Sequence, residues 1–161
     1  GETPIEIIDS ILTIRKLHEK YGNIQEVIVQ NFQPKQDTVM NNFPPANENY
    51  FKIVVALTRI IMPKMNIQIP PNLSPNSYHS FLSLGINDWG GISPLTPDYV
   101  NPEFSWPEIK KIEQDSMNAG FELKCRFPVY PEFFSFIGKE LRDKMKDIED
   151  EEGLVRKEYW K

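Results

Sequence analysis

The residues best placed to bind a small molecule lie at positions 87–91. Asn87, Asp88 and Trp89 supply a carboxamide, a carboxylate and an indole directly before two glycines. An amide and a carboxylate can read the edge of a heterocycle or a row of hydroxyls, while the indole offers a face for stacking. The two glycines would let the backbone approach a ligand closely. A glycine-rich turn capped by the aspartate is the competing interpretation.

Polar side chains also follow two earlier apolar runs, at residues 27–29 and 66–70. The carboxamides around the ends of these runs are Gln30, Asn31, Gln68 and Asn72. Two prolines before Asn72 favour a stiff, extended approach of the chain to that residue. Three successive apolar runs therefore end in side chains that could bind a ligand, although such groups can also serve only backbone atoms.

Helical and strand patterns alternate along the chain. Helices are predicted at about 4–21, 48–62, 74–85 and 106–118, the last opened by a capping-box pattern at residues 105–108, and strands at 27–29, 66–70, 86–89 and 121–127. This alternation predicts an α/β fold with a parallel sheet and right-handed crossovers. An open doubly wound sheet and part of a (β/α)8 barrel both fit. Polar groups at every strand end favour the barrel. We expect a barrel part at 1–137 and a charged helical tail at 138–161.

The composition excludes several classes of function. The chain has 161 residues, a formal charge of −5 and no basic cluster, which argues against nonspecific nucleic-acid binding. Its longest apolar run, residues 53–57, is too short to span a bilayer, and no signal-peptide pattern is present. The single cysteine, Cys125, fits a reducing, cytoplasmic setting and is expected to be a buried structural thiol. No His, Cys, Asp or Glu group has metal-ligand spacing.

Three separated segments, at 26–35, 70–73 and 87–103, resemble in order the FO synthases, radical-SAM enzymes that form a deazaflavin. The resemblance is to the first subunit and covers residues 1–133. It implies a (β/α)8 barrel and a 4Fe–4S cluster on three cysteines of a C-x-x-x-C-x-x-C loop. It also implies cleavage of S-adenosylmethionine to a 5′-deoxyadenosyl radical. That radical starts ring closure of a tyrosine-derived ribityl-uracil adduct, with release of ammonia, in coenzyme F-420 biosynthesis.

The resemblance also implies roles for individual residues. Those expected to contact S-adenosylmethionine are Glu2, Gln30 and Asn31. Those expected to contact the substrate, the 5-amino-6-ribitylaminouracil–tyrosine adduct, are Gln68, Asn72, Asn87, Asp88 and Trp89. No catalytic residue is assigned. No metal ligand is assigned either, because such a cluster needs three protein thiolates and the chain has one cysteine.

Residues 1–2 resemble the end of the family's fifth-strand motif. The resemblance therefore predicts a fragment that holds strands six to eight and lacks the radical-generating half. Because the radical-generating half is missing, we expect the fragment alone to be inactive. Because parallel strand edges would be exposed, we expect it to self-associate. The expected functional partner is the second FO synthase subunit. Two alternatives stay open: a non-catalytic half-barrel acting through a partner chain, and a cluster-independent enzyme using Asp88 or Glu2 as acid–base groups.

Overall fold

The computed structural model describes residues 1–93 and 95–160, so Pro94, within the third matching segment, lies outside the described residues. The chain divides into two compact units, Gly1–Phe121 and Glu122–Lys161. The predicted assignment of a barrel part at 1–137 and a tail at 138–161 stays a prediction.

Within residues 1–93 and 95–121, the first unit contains three α-helices, two strands and two short 3-10 helices. In chain order they are α1 (Pro4–Tyr21), β1 (Glu26–Ile28), α2 (Glu48–Ile61), β2 (Asn66–Gln68), the 3-10 helices Pro71–Leu73 and Tyr78–Leu84, and α3 (Ile109–Asn118). The second unit contains α4 (Lys139–Lys146) between the 3-10 helices Pro131–Phe136 and Lys157–Tyr159. Within the described ranges, none of the helices is long and apolar enough to cross a membrane.

The two strands pair in parallel, with Val27 opposite Ile67. A third segment continues this sheet through a single parallel bridge between Gln68 and Asp88. The order along the sheet is therefore the order along the chain, which confirms an α/β arrangement with parallel pairing. The strand predicted at 86–89 is present only as that bridge.

Local capping signals explain where the first two helices begin. The Thr3 hydroxyl accepts a hydrogen bond from the backbone N–H of Glu6 at 3.3 Å, and the Glu6 carboxylate accepts one from the Thr3 N–H at 2.8 Å. This is the predicted capping box, and Gly22, at φ 65°, ends α1. The Asn47 side chain caps α2 by accepting from the N–H of Tyr50 at 3.0 Å.

Four sequence predictions of secondary structure were wrong. The helix at 74–85 is a 3-10 helix, Tyr78–Leu84, and α3 begins at Ile109 without a side-chain cap from residues 105–108. Residues 121–127 form no strand, because they find no neighbouring strand to pair with among the described residues. The charged helix ends at Lys146, because the chain then turns back so that Glu149 bridges Val155.

Arg59 links the end of α2 to both later parts of the sheet. Its Nε donates to the Gly85 carbonyl at 2.6 Å, its Nη1 to the Met65 carbonyl at 2.7 Å and its Nη2 to Asn87 Oδ1 at 3.2 Å. Burial lowers the pKa of Arg59 from its ordinary value. The guanidinium thus supplies donors to carbonyls that would otherwise lack partners at the turn into β2 and before residues 86–89.

Candidate functional site

Asn72, just beyond β2, has one half of its carboxamide paired and the other half unpaired. The side chain is only 1% exposed. Its Nδ2 donates to Oδ2 of Asp98 at 2.9 Å and to the Phe104 carbonyl at 3.3 Å. Its Oδ1 is buried and has no hydrogen-bond partner. A buried acceptor without a donor costs about 1–3 kcal/mol, which a bound N–H or O–H group would recover.

Gln68, the last residue of β2, presents a second unpaired oxygen. The residue is 6% exposed, and its Oε1 is buried without a partner. Gly90 lies against this group: a Cβ at position 90 would lie 2.9 Å from Gln68 Oε1. The φ of Gly90 is +76°, a conformation that other residues adopt only with strain. The turn therefore favours glycine at position 90, and a larger residue there would displace the Gln68 carboxamide.

Asn31, beyond the end of β1, repeats the arrangement seen at Asn72. Its Nδ2 donates to the Leu73 carbonyl at 3.0 Å, and Gln33 donates to the same carbonyl at 3.2 Å. Its Oδ1 is buried and has no partner. Asn31, Gln33 and Leu73 line a cavity of about 230 Å³. Gln30 is exposed.

The three unpaired oxygens all follow the carboxyl ends of the parallel strands. Because parallel strands end at the same edge of a sheet, this edge carries buried acceptors that lack donors. Three of the carboxamides predicted to bind ligands therefore present a buried oxygen that could accept a hydrogen bond from a ligand.

Asn87 differs, because its carboxamide is already paired within the protein. Its Oδ1 accepts from the Ile67 N–H at 2.8 Å and from Arg59, and its Nδ2 donates to Asn66 Oδ1 at 2.8 Å. These bonds attach the third segment to β2. The predicted substrate contact of Asn87 stays a prediction.

Asp88 and Trp89 also make internal contacts. The Asp88 carboxylate accepts from the Gly90 N–H at 2.5 Å, which is the turn-capping arrangement given above as the competing interpretation. Trp89 is 7% exposed, and its ring packs edge-on against Tyr78 with the centroids 5.4 Å apart. Their predicted substrate contacts also stay predictions.

Residues 95–104 contain a polar centre that the sequence analysis missed. The Asp98 carboxylate accepts from the backbone N–H groups of Val100 at 2.9 Å and Asn101 at 3.1 Å, and from Asn101 Nδ2 at 2.9 Å. Burial raises the pKa of Asp98, but the hydrogen bonds from Asn101, Asn72 and Val100 outweigh it and leave the pKa below its ordinary value. The Asp-x-x-Asn spacing is an Asx-turn signal that could have identified this centre.

A further contact joins this segment to the loop after β1, where Lys35 forms an ion pair with Glu103. The Lys35 ammonium also lies 5.8 Å from the centroid of the Phe104 ring. The segment is therefore tied to the loops after both strands, through Asn72 and through Lys35.

Two other predicted positions lie apart from these contacts. Glu2 is exposed and pairs with the chain's amino terminus at 3.1 Å. Cys125 is half-buried in the second unit, and burial raises the pKa of its thiol. Across residues 1–93 and 95–160, no three His, Cys, Asp or Glu side chains are grouped so as to hold a metal ion.

A second cavity, of about 460 Å³, lies between the 3-10 helix Tyr78–Leu84 and α3. The Tyr78 hydroxyl donates to Asp115, which also pairs with Lys111 at 2.8 Å. Burial is the main cause that raises the pKa of the Tyr78 hydroxyl, and the hydrogen bond to Asp115 raises it further. The hydrogen bonds from Lys111 and, to a smaller extent, from Tyr78 lower the pKa of the Asp115 carboxyl. These contacts pack α3 against the 3-10 helix.

Comparison with known proteins found relatives across most of the chain. It is 48% identical over 135 residues to the 7,8-didemethyl-8-hydroxy-5-deazariboflavin synthase of Methanocaldococcus jannaschii, covering 84% of this chain and 38% of the relative. It is 39% identical over 158 residues to the synthase of that name in Methanopyrus kandleri, a match that covers 97% of this chain and 47% of the relative. It is 47% identical over 134 residues to the FO synthase of Streptomyces avermitilis, a match that covers 83% of this chain and 16% of the relative.

These relatives confirm the resemblance predicted from the three segments. The chain spans less than half the length of each of these relatives. No family model and no solved structure matches the chain.

Proposed function

We propose that this chain supplies part of the substrate-binding wall of an enzyme that forms the deazaflavin FO in coenzyme F-420 biosynthesis. On this proposal β1, β2 and residues 86–89 are strands six to eight of a (β/α)8 barrel. The reaction is the radical-SAM closure of the ribityl-uracil–tyrosine adduct with release of ammonia. The observation that carries the proposal is the set of three buried carboxamide oxygens without donors at the carboxyl ends of parallel strands, in a chain whose relatives bear the synthase name.

The chemistry of the substrate matches these oxygens. A ribityl-uracil carries an imide N–H and several hydroxyls, all of which donate hydrogen bonds. Gln68 and Asn72 offer buried acceptors around the end of β2, while both of their oxygens lack a protein donor. Binding would therefore relieve an existing cost, in addition to forming new contacts.

Of the two implied cofactors, the described residues fit S-adenosylmethionine but not the 4Fe–4S cluster. Asn31 Oδ1 could accept from the adenine amine or a ribose hydroxyl of S-adenosylmethionine, with Gln30 and Glu2 as the other expected contacts. S-adenosylmethionine supplies the radical precursor when bound. A 4Fe–4S cluster does not fit, because Cys125 is the single cysteine and the described part of the chain has no metal-ligand group. On this proposal other residues of the whole enzyme hold the cluster.

Large apolar side chains of β1 and α2 are exposed. Ile28 on β1 is 53% exposed, and Ile53 and Ile60 on α2 are 55% and 73% exposed. On this proposal the rest of the barrel covers this surface, so the 161-residue chain alone is inactive and self-associates. The second FO synthase subunit supplies the adduct.

The test is FO formation by the protein expressed from its full coding sequence. After anaerobic reconstitution with iron and sulfide, we expect S-adenosylmethionine and the adduct to give fluorescent FO and 5′-deoxyadenosine. Asn72→Ala and Gln68→Ala should each lower kcat/KM about tenfold, the equivalent of one hydrogen bond. Gln36→Ala, which removes an exposed loop carboxamide, should have no effect.

Two outcomes would change the proposal. Tight binding of the adduct without any turnover would favour the non-catalytic binding module. FO formation at equal rates by all three variants would contradict the role of the carboxamide oxygens.

A further inference from the structure

We propose that Asp98 is a positioning residue, which orients the Asn72 carboxamide so that Oδ1 accepts a hydrogen bond from an N–H or O–H donor of the bound deazaflavin. The inference rests on the proposed function and adds to it the side-chain orientation on which ligand selection depends.

The neighbours of Asn72 permit one orientation of its amide. Nδ2 lies 2.9 Å from Asp98 Oδ2 and 3.3 Å from the Phe104 carbonyl oxygen. An ionised carboxylate and a carbonyl can only accept hydrogen bonds. Turning the amide over would place Oδ1 against two oxygens and leave both without their donor. The nitrogen is therefore held by the protein, and the oxygen remains for a ligand.

Asp98 is itself fixed by contacts that do not involve Asn72. Its Oδ1 accepts from the N–H groups of Val100 and Asn101, and its Oδ2 accepts from Asn101 Nδ2 at 2.9 Å. Asn101 is 5% exposed. An asparagine at position 98 could keep the two backbone bonds with its one oxygen. Its amino group would then face the amino groups of Asn72 and Asn101, so that the orientation of Asn72 would be lost.

Asn72 Oδ1 is buried, so a ligand reaches it only when residues around it move. Three large apolar side chains of the segment 95–104, Leu95, Tyr99 and Val100, are 92%, 83% and 74% exposed. The segment contacts Asn72 through Asp98 and the Phe104 carbonyl, and contacts Lys35 through Glu103 and the Phe104 ring.

The donor has three possible sources in the ligand: the imide N–H of the pyrimidinedione ring, the hydroxyls of the ribityl chain and the phenolic hydroxyl at position 8. Three analogues of FO distinguish them. One carries a methyl group on the imide nitrogen, one carries an alkyl chain in place of the ribityl chain, and one carries a methoxy group in place of the phenolic hydroxyl. Each analogue removes one kind of donor and retains the ring system that fluoresces.

The experiment is a fluorescence titration of the full-length protein with FO and with the three analogues. Asp98→Asn should weaken FO binding about tenfold, the equivalent of one hydrogen bond. The analogue that lacks the relevant donor should bind the unsubstituted protein about tenfold more weakly and should not respond to Asp98→Asn. Asp150→Asn is the matched control, because Asp150 Oδ1 also accepts from two backbone N–H groups, of Glu152 and Leu154.

Asp150→Asn should leave every affinity unchanged. A loss in Asp98→Asn that is equal for FO and all three analogues would mean a purely structural role and would overturn the inference, as would no loss at all. Should Asp98→Asn fail to fold, Asn72→Ala takes its place and must show the same selective loss. Absence of FO binding to the unsubstituted protein would instead reject the proposed function, and with it this inference.

Discussion

Gly85→Ala should destabilise the first unit far more than an ordinary glycine substitution in a left-handed turn. Gly85 has a φ of +98°, and a Cβ there would lie 2.5 Å from Cγ and 2.9 Å from Cβ of Arg59. Contacts this short cannot persist, so Arg59 must move. Its bonds to the carbonyls of Gly85 and Met65 and to Asn87 would then be strained or broken.

The expected magnitude follows from two contributions. The left-handed conformation costs an alanine about 1–2 kcal/mol. Displacing a charged hydrogen-bond donor costs about 1.5–3 kcal/mol more. We therefore expect Gly85→Ala to lower the free energy of unfolding by about 2.5–5 kcal/mol, a shift of roughly 5–20 °C in Tm for a chain of this size.

The matched control is Gly22→Ala, at the end of α1. Gly22 also has a positive φ, of +65°, but a Cβ there meets nothing within 4 Å. Gly22→Ala should therefore show the conformational cost alone, about 1–2 kcal/mol. Urea unfolding of both variants, followed by circular dichroism, measures the difference. Equal stabilities to within about 0.5 kcal/mol, the usual range for a neutral surface change, would refute the assigned role of Arg59.

Three further predictions concern the strand ends and the packing of α3. The fold lowers the pKa of Asp98, so its carboxylate stabilises the protein above pH 3.8, the ordinary pKa of the group, and this stabilisation is lost as the pH falls through the folded pKa. Thermal melts at a series of pH values should show that Asp98→Asn lacks this part of the acid dependence. Gly90→Ala should cost about 1–2 kcal/mol in urea unfolding and weaken FO binding in a fluorescence titration, because its Cβ would displace Gln68 Oε1. Tyr78→Phe removes the buried hydroxyl bonded to Asp115 and should cost about 1–2 kcal/mol in urea unfolding, whereas a change under 0.3 kcal/mol would contradict this bond.

Features encoded by neighbouring residues could be predicted from the sequence. The capping box of Thr3 and Glu6, the glycine at position 22 and the Asn47 cap act within one helical turn, and all three are present. The strand predicted at 121–127 depended on something else. Alternating apolar residues favour an extended chain, but a strand also needs a neighbour, and none pairs with it among the described residues.

The candidate site was predictable in position and not in orientation. The carboxamides at positions 31, 68 and 72 follow apolar runs, so their place at strand ends could be inferred. Which end of each amide is left unpaired depends on partners distant in sequence: Asn31 donates to a carbonyl 42 residues away, and Asn72 donates to a carboxylate 26 residues away. Sequence spacing carries no information about such partners.

Hydrogen-bond satisfaction distinguishes Asn87 from the three carboxamides at the strand ends. The carboxamide of Asn87 is occupied by three internal bonds, so a ligand would have to compete with them. Asn31, Gln68 and Asn72 each keep one buried oxygen without a donor, at a cost of about 1–3 kcal/mol apiece. Folded domains are stable by only about 5–15 kcal/mol, so three such groups at one sheet edge are a large burden for packing alone to explain. Donors from a ligand remove that burden, which is why these three residues, ahead of the more conspicuous run at 87–91, are the first to test by substitution.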